Sequence, residues 1–460
     1  MIIVSNTIAA ISTAIGEAGI GIVRMSGKNS LEIGKEVFKG INDKKLDEYE
    51  NRKMAYGHIV NGNEVIDEVL IAYMKEPYTY TKENMVEIYC HGGIIAVRRV
   101  LDLLLEKGAM IAEPGEFTKR AFLNGRLDLS QAEAVIDMIH SKTEKSYDIG
   151  LSQLDGSISK EVSDLRNRLI GIMANIVAEI DFPEEDIETI TLNEIANGLK
   201  YISERIDHLL VNSKRGQILR DGINTVILGR PNVGKSSLLN TLSKKNRAIV
   251  TNIPGTTRDI IEEYINLDGI PLKIIDTAGI RETSDLVEKI GVDLARDAIK
   301  DANLLLVVLD NSESLNSEDR EILQLAKDKN TIVIVNKSDL ENKIDSKEIE
   351  MILGNVKTIT TSILNNDGVD DILDTIKDMF FGGEIKVESD VYLSNVRHID
   401  ALKRTKKSIE SALLDVNNNV PLDCIEVDLS DGLEYLGQIT GESIGEDILD
   451  KIFSEFCLGK

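Results

Sequence analysis

The chain has 460 residues, of which 42% are hydrophobic; this length and composition predict about two to four well-packed domains. Its 53 Lys and Arg against 78 Asp and Glu leave a net charge of −25, which argues against a broad surface for nucleic acid phosphates. No stretch approaches the ~18 uninterrupted apolar residues of a membrane span. Residues 1–23 contain no Lys or Arg, so a secretory signal is not expected.

The three cysteines, Cys90, Cys424 and Cys457, are far apart in the sequence. Their spacing matches neither a metal site nor a disulfide framework. A reducing compartment suits such a chain, and we expect a cytoplasmic protein.

Residues 1–120 are predicted to form an N-terminal α+β domain. Residues 20–27 and 85–89 have the composition of strands. A helix is predicted from Gly92 onward, because apolar residues recur there at helical spacing. These apolar residues are Val97, Val100, Leu101 and Leu104.

Residues 121–222 are predicted to be the first part of a helical domain. Residues 130–133, Ser-Gln-Ala-Glu, have the pattern of a capping box. Apolar residues then recur at helical spacing, including Val135, Ile136, Ile139, Val162, Leu165, Leu169, Ile172, Ile176 and Ile180. Helical periodicity resumes in residues 383–460. We therefore expect one helical domain that is interrupted by an inserted domain, residues 223–382.

The inserted domain opens with a nucleotide phosphate loop. Residues 229–236 read Gly-Arg-Pro-Asn-Val-Gly-Lys-Ser, between a predicted strand at 223–228 and a helix-like stretch at 237–242. Glycines let backbone N–H groups surround phosphate oxygens, Lys235 reaches the β- and γ-phosphates, and the Ser236 hydroxyl binds Mg²⁺. A Ras-like P-loop domain is therefore predicted.

Guanine is predicted by the residues that follow a β-branched run at 331–335. This run leads into Asn336, Lys337 and Asp339. The Asp339 carboxylate can accept hydrogen bonds from guanine N1–H and from the guanine 2-amino group, whereas adenine offers neither donor. Thr361-Ser362 occupies the place of a weaker fifth motif, with Ile363 where alanine is usual. The nucleotide is therefore predicted to be GTP.

Two more segments belong to the predicted γ-phosphate end of the site. Residues 251–259 are polar and turn-rich, as in a mobile switch loop, and Thr257 is the expected second Mg²⁺ ligand. Asp276 directs a carboxylate toward Mg²⁺ at the end of another predicted strand. The nucleotide-binding set comprises Asn232, Val233, Gly234, Lys235, Ser236, Ser237, Thr251, Asn252, Ile253, Pro254, Gly255, Thr256, Thr257, Asp276, Thr277, Ala278, Gly279, Asn336, Lys337 and Asp339.

The residue that orients the attacking water is not obvious. Ras-type switches use a glutamine directly after Asp-x-x-Gly, and here that position is Ile280, which has no donor or acceptor. From composition alone Glu282, Asp285 and Glu288 remain alternatives. Asn232 suggests a monovalent cation beside the phosphates, with carbonyl groups of the 251–256 loop, although asparagine also commonly stabilises turns.

The chain resembles the MnmE (TrmE) family of tRNA-modification GTPases over its whole length. The resemblance rests on residues 229–237, on Gly-Thr-Thr-Arg-Asp at 255–259 and on Asp-Thr-Ala-Gly-Ile-Arg-Glu at 276–282. Outside the GTPase unit it rests on residues 114–124 and on the terminal Phe-Cys-Leu-Gly-Lys, residues 456–460.

This resemblance implies K⁺-stimulated hydrolysis when two GTPase domains meet in a homodimer. The implied K⁺ site has Asn232, Thr251, Ile253 and Thr256, and the implied water-orienting residue is Glu288. The N-terminal domain is implied to dimerise and to bind 5-formyltetrahydrofolate. The implied folate contacts are Arg24, Glu87, Arg126, where the family usually has lysine, and Lys460.

The resemblance also implies partners. An MnmG-like protein that uses FAD and NADH would join the chain in a heterotetramer. Together they would add an aminomethyl or carboxymethylaminomethyl group to C5 of the wobble uridine, using a folate one-carbon unit. Because the chain is acidic, we expect it to bind tRNA weakly alone and the partner to supply much of the positive surface.

Two alternative functions are weighed against this one. The GTPase motifs alone also fit a signalling or ribosome-assembly switch without a role in RNA chemistry, which would need no folate. A structural dimer with a vestigial nucleotide site is disfavoured by the intact Lys235, Ser236, Thr257 and Asp276.

Overall fold

The structure, a computed structural model, describes residues 6–181, 191–245, 248–249, 262–275, 298–382 and 391–460. The chain divides into two compact units. The first comprises Met1–Ile136, Gln153–Gly198 and Ser411–Lys460, and the second comprises Asp137–Ser152 and Leu199–Glu410.

The first unit contains a seven-stranded sheet in the order β3-β4-β5-β6-β2-β1-β7. Its strands are β1 (Ile8–Ile11), β2 (Gly21–Ser26), β3 (Phe38–Gly40), β4 (Met54–Asn61), β5 (Glu64–Met74), β6 (Met85–Cys90) and β7 (Met110–Ile111). Neighbouring strands are antiparallel except for the parallel pair of β1 and β7. The sheet confirms the strands predicted at 20–27 and 85–89.

Helices lie between these strands in the chain and follow them up to residue 211. They are α1 (Ser30–Val37), α2 (Ile94–Glu106), α3 (Glu116–Leu123), α4 (Leu129–His140), α5 (Glu144–Leu154), α6 (Ser157–Asp181) and α7 (Leu192–Val211). The predicted apolar face of α2 is buried at all four of its positions. Burial of these side chains against the sheet supplies much of the core of this unit.

The cap of α4 corrects one prediction. The capping box is formed by Asp128 and Gln131, not by Ser130 and Glu133. Asp128 Oδ1 accepts from the Gln131 N–H at 2.9 Å, and Gln131 Oε1 accepts from the Asp128 N–H at 3.0 Å. Ser130 is instead fully buried and donates to Asp128, because the helix begins one residue earlier than that serine.

The helical periodicity of α6 is confirmed over most of its length. Its buried residues are Ile158, Val162, Leu165, Leu169, Ile172 and Ile176. Ile180, in the last turn, is 38% exposed, and Ile139, at the end of α4, is 39% exposed. Both isoleucines continue the predicted helical repeat, but they lie in the last turns of their helices, where they stay partly exposed.

The second unit is built on a sheet in the order β14-β13-β12-β8-β11-β10-β9. Its strands are β8 (Ile223–Leu228), β9 (Ala248–Ile249), β10 (Glu262–Leu267), β11 (Ile270–Ile275), β12 (Leu304–Asp310), β13 (Thr331–Asn336) and β14 (Lys357–Thr361). The five strands from β14 to β11 are parallel, β10 is antiparallel to β11, and β9 is antiparallel to β10. This is the Ras-like arrangement that the motifs predicted.

The central strand β12 shows why this sheet needs helices on both faces. All seven of its residues are buried. Leu304, Leu306 and Val308 enter one core cluster, whereas Leu305, Val307 and Leu309 enter another. Successive side chains of a strand point to opposite faces, so a continuous apolar run is covered on both sides.

The helices of the second unit and of the C-terminal segment complete the chain. They are α8 (Ser213–Asp221), α9 (Lys235–Lys245), α10 (Ser317–Leu325), α11 (Ser346–Leu353), α12 (Val369–Phe381), α13 (Val396–Asn417), α14 (Leu422–Thr440) and α15 (Glu446–Ser454). Among the described residues, no helix combines the length and apolarity needed to cross a bilayer. The architecture is an α+β domain and a helical domain interrupted by a P-loop domain.

Candidate functional site

The phosphate loop joins the end of β8 to the start of α9, as its sequence predicted. Three of its residues have left-handed backbone conformations: Gly229 with φ 151°, Asn232 with φ 64° and Gly234 with φ 111°. A Cβ on Gly234 would lie 2.3 Å from Asn336 Nδ2, so only glycine fits there. The loop therefore turns tightly enough for its N–H groups to face a common point.

Lys235 is folded over its own loop. Its Nζ donates to the carbonyl oxygens of Gly229 and Arg230, each at 2.7 Å. This contact holds the ammonium group above the turn, where a phosphate chain would lie. Ser236 and Ser237 follow in the first turn of α9 and are exposed. The hydroxyl assigned to Mg²⁺ is thus accessible at a helix N-terminus.

Asn336 ties the phosphate loop to the fifth motif. This buried side chain donates from Nδ2 to the Val233 carbonyl at 2.8 Å. Its Oδ1 accepts from the Ile363 N–H at 3.1 Å and from Thr361 Oγ1 at 3.4 Å. Asn336 therefore joins the two loops, and its predicted contact with the nucleotide stays a prediction.

Asp339 is prepared to accept hydrogen bonds. Ser362 Oγ donates to Asp339 Oδ1 at 2.7 Å, and the rest of this aspartate is exposed. The hydroxyl fixes the carboxylate while leaving acceptor capacity on the open side. Ile363, the departure from alanine in this motif, turns its side chain into the core and is 5% exposed.

Lys337 is held by a residue that sequence reasoning missed. Its Nζ donates to Asp310 Oδ2 at 2.5 Å, and Asp310 Oδ1 accepts from the Ser312 hydroxyl at 2.6 Å. Burial alone would raise the pKa of Asp310, but the bonds from Lys337 and Ser312 lower it overall. The sequence signal for Asp310 was that an aspartate ends the apolar run of β12. Asp310 lies opposite Asn336 at the end of β13, and Lys337 directly follows that strand.

The phosphate loop and the segment that carries Asn336, Lys337 and Asp339 line one cavity of ≈ 780 Å³. Its walls are formed by Asn232, Gly234, Ser237, Asn240, Thr241, Lys244, Asn336, Lys337, Asp339, Leu340, Ile363, Leu364 and Asn366. The loop for phosphates and the carboxylate for guanine therefore open into the same space. The contributions of α9 and of the 363–366 turn were not predicted, because no motif marks them.

A second cluster lies in the first unit, around residues that the resemblance assigned to folate. Arg24 on β2 and Glu87 on β6 are direct cross-strand neighbours, and Arg24 Nε donates to Glu87 Oε1 at 2.8 Å. The Tyr89 hydroxyl donates to Glu87 Oε2 at 2.7 Å. Burial, and secondly Glu87, raise the pKa of Tyr89 to about 12, so this phenol stays a donor.

The C-terminal segment reaches the same cluster. The Gly459 carbonyl accepts from Ser12 Oγ at 3.0 Å and from Arg24 Nη1 at 3.4 Å. Gly459 has φ 83°, and an added Cβ would lie 2.2 Å from the Ile11 carbonyl oxygen. Only glycine allows this approach, and Lys460, the next residue, is half-buried.

Arg126 approaches the cluster through an aromatic ring. Its Cζ lies 4.6 Å from the centroid of the Tyr80 ring, and Arg24 Cζ lies 5.9 Å from the same centroid. The structure therefore brings Arg24 and Arg126 to one ring and pairs Arg24 with Glu87, and the folate role of these residues stays a prediction. Tyr80 was not predicted.

Comparison with known proteins identifies the family. The family description "MnmE helical domain" matches residues 129–457, and "GTP-binding protein TrmE N-terminus" matches residues 7–126. A tRNA modification GTPase MnmE of Finegoldia magna is 52% identical over 455 residues, which cover 99% of this chain and 100% of the relative. The relative of the same name from Clostridioides difficile is 49% identical over 457 residues, again 99% and 100%. The chain belongs to the MnmE family.

Solved structures that match part of the MnmE chain include Era of Aquifex aeolicus and the G domain of the FeoB iron transporter of T. maritima. Era is 27% identical, with 40% of this chain and 65% of that chain covered and a TM-score of 0.28. The FeoB domain is 27% identical, with 34% and 97% covered and a TM-score of 0.27.

Several predicted residues of the MnmE chain lie outside the described residues. They are Thr251, Asn252, Ile253, Pro254, Gly255, Thr256, Thr257, Asp276, Thr277, Ala278, Gly279 and Glu288. Their roles stay predictions.

The segment 114–124, which carried much of the resemblance to MnmE proteins, has a structural explanation. Arg120 is 2% exposed and pairs with Glu116 at 2.7 Å and with Glu83 at 3.1 Å. It also donates to the Asn6 carbonyl at 2.8 Å. Breaking such a buried ion pair costs free energy of folding, so Arg120 holds Glu83, and with it the 79–83 segment, against α3.

Proposed function

We propose that this MnmE-family GTPase hydrolyses GTP in a K⁺-dependent reaction and thereby serves the modification of C5 of the wobble uridine in tRNA. The observation that carries the proposal is that the phosphate loop, through Asn232 and Gly234, and Asp339 line the same cavity. Family membership supports the RNA substrate. The aminomethyl or carboxymethylaminomethyl group would be added with an MnmG-like FAD protein in a heterotetramer.

The proposal assigns ions to the residues near the phosphates. Ser236 and Thr257, with Asp276 nearby, would hold Mg²⁺, which supplies charge neutralisation at the β- and γ-phosphates. Asn232, Thr251, Ile253 and Thr256 would hold K⁺. Asn232 supports this assignment because its side chain is exposed and lines the cavity, so an amide oxygen is present where a cation would be needed.

Potassium dependence is tested by GTP turnover in KCl and in NaCl at matched ionic strength. We expect at least about a tenfold advantage for KCl, which corresponds to roughly 1.4 kcal/mol of transition-state stabilisation. Equal rates in the two salts would contradict the proposal.

Asn232→Gly is the matched variant for this test. Glycine keeps the left-handed backbone at φ 64° and removes the amide oxygen. We expect the variant to bind GTP and to lose most of its preference for K⁺. A preference that persists would remove Asn232 from the ion site.

The proposal gives the N-terminal domain, residues 1–120, a role in dimerisation and in binding a folate that provides the one-carbon unit. Arg24, Arg126 and Lys460 offer three cations for the carboxylates of such a ligand, and Glu87 offers an acceptor. The helical parts, 121–222 and 383–460, would connect this site to the GTPase domain at 223–382. These boundaries, the homodimer and a cytoplasmic location remain part of the proposal.

We propose that the isolated chain binds tRNA weakly, and that it does so through exposed cations on two helices. Lys214 and Arg215 on α8, and Lys403 and Lys407 on α13, are exposed. In the part of the chain that the structure describes, no carboxylate lies within ion-pair distance of these four cations. Asp207 pairs with Lys406 at 2.6 Å and joins α7 to α13. Helices α8 and α13 therefore present exposed positive charge on an acidic protein.

Charge reversal tests this surface. The double variant Lys403→Glu and Lys407→Glu should weaken tRNA binding. It should also reduce the slope of log affinity against log salt concentration by the amount that about two phosphate contacts contribute. Lys327→Glu with Lys347→Glu, exposed lysines elsewhere in the same unit, is the control. Filter binding over a salt series measures both effects. Nanomolar affinity of the isolated protein, or equal losses in both variants, would contradict the proposal.

A further inference from the structure

The ring of Tyr80 lies close to two of the cations assigned to the folate site. The Cζ atoms of Arg126 and Arg24 lie 4.6 Å and 5.9 Å from its ring centroid, distances at which a guanidinium is attracted by an aromatic ring. The attraction comes from the negative charge of the ring face, which depends on the ring and not on the hydroxyl. One ring therefore organises two cations from distant parts of the sequence.

The ring itself is held firmly. Its hydroxyl is hydrogen-bonded to the buried Thr118 hydroxyl, with 2.9 Å between the oxygens. It also packs against a core cluster that includes Met85 and Phe117. Thr118 and Phe117 belong to α3, which Arg120 anchors. The orientation of Tyr80 is thus fixed before any ligand arrives.

The two cations differ in how their charges are balanced. Arg24 pairs with Glu87 and lies 5.7 Å from the Phe117 ring as well. Arg126 is exposed, and no carboxylate of the described residues lies within ion-pair distance of it. Without Tyr80 the flexible Arg126 side chain would lose the only ring that it contacts among those residues. An anion bound there would meet a guanidinium whose position the ring has already set.

We propose that Tyr80 is a positioning residue that orients Arg126 and Arg24 toward the carboxylate end of a reduced folate. The inference rests on the proposed folate function and deepens it. It assigns the glutamate tail, and not the pterin ring, to the side of the site that Arg126 and Tyr80 form. A positioning role of this kind increases affinity because less side-chain freedom is lost on binding.

The test compares two ligands and three variants of the full-length protein. The ligands are 5-formyltetrahydrofolate and its analogue without the glutamate, and their dissociation constants are measured by isothermal titration calorimetry. Tyr80→Leu should lose about tenfold in affinity for the complete folate, since two ring–cation contacts disappear. Its affinity for the analogue should stay within about twofold of the wild type. Tyr80→Phe keeps the ring and should retain nearly full affinity for both ligands.

Tyr78→Leu is the matched control, because Tyr78 lies in the same segment and is 79% exposed. It should bind both ligands like the wild type. If Tyr80→Leu binds the complete folate as well as the wild type, or loses both ligands equally, the inference is wrong and the folate function stands. If the wild type binds neither ligand, the folate function is wrong and the inference falls with it.

Discussion

Replacement of Asp339 by asparagine should lower kcat/KM for GTP by roughly 10²- to 10³-fold and make XTP the better substrate. In the predicted site the carboxylate accepts from two guanine donors, and an amide at this position would place its own N–H groups against one of them. Xanthine carries a carbonyl where guanine has the 2-amino group, so it restores the complementarity. Removing hydrogen bonds to a charged group in a site built for them has effects of this size.

The geometry makes this substitution informative. Ser362 holds one oxygen of Asp339 at 2.7 Å, so the asparagine would stay in the same orientation. Steady-state kinetics with GTP, XTP and ATP provide the measurement. Asp328→Asn is the control, since Asp328 is exposed and does not line the cavity. A variant that still prefers GTP would show that Asp339 does not read the base.

Replacement of Glu288 by alanine should reduce GTP hydrolysis by roughly 10²- to 10³-fold while leaving GTP binding within a few-fold of the wild type. Ile280 occupies the position of the usual glutamine and offers no hydrogen bond, so another side chain must orient the attacking water. Loss of one preorganised group at a transition state commonly has an effect of this magnitude. Glu288 lies outside the described residues, and the family resemblance selects it.

Single-turnover hydrolysis and equilibrium binding of a fluorescent GTP analogue separate the two effects. Glu282→Ala, in the same segment, is the matched control and should hydrolyse GTP at a nearly normal rate. Normal hydrolysis by Glu288→Ala, together with a defect in Glu282→Ala or Asp285→Ala, would move the role to that residue.

The sequence predicted most of the GTPase fold because its signals are local. The phosphate loop and the β-branched run of β13 each indicate their structure within about ten residues. The Ras-like sheet follows, since few topologies join such strands through right-handed crossovers. The same locality misplaced the cap of α4, where Ser130 and Asp128 both begin acceptable patterns and burial selects Asp128.

The second cluster shows the limit of local signals. Arg24, Tyr80, Arg126 and Gly459 come from separate stretches, and no spacing rule connects them. The resemblance supplied all three cations, Arg24, Arg126 and Lys460, but it did not supply the Tyr80 ring near two of them. Asp310 was missed for a related reason, because its partner Lys337 directly follows the neighbouring strand β13.

By itself the sequence predicted a guanine nucleotide site, the identity of its phosphate-binding lysine and the order of the domains, because backbone conformation and hydrogen-bonding capacity belong to short segments. Tertiary structure alone decided which charges form ion pairs and that Asn336 joins two loops. It also decided that the Tyr80 ring contacts the guanidinium groups of Arg24 and Arg126. Those outcomes depend on distances between residues that are remote in the chain, and such distances exist only after the sheets and helices have packed.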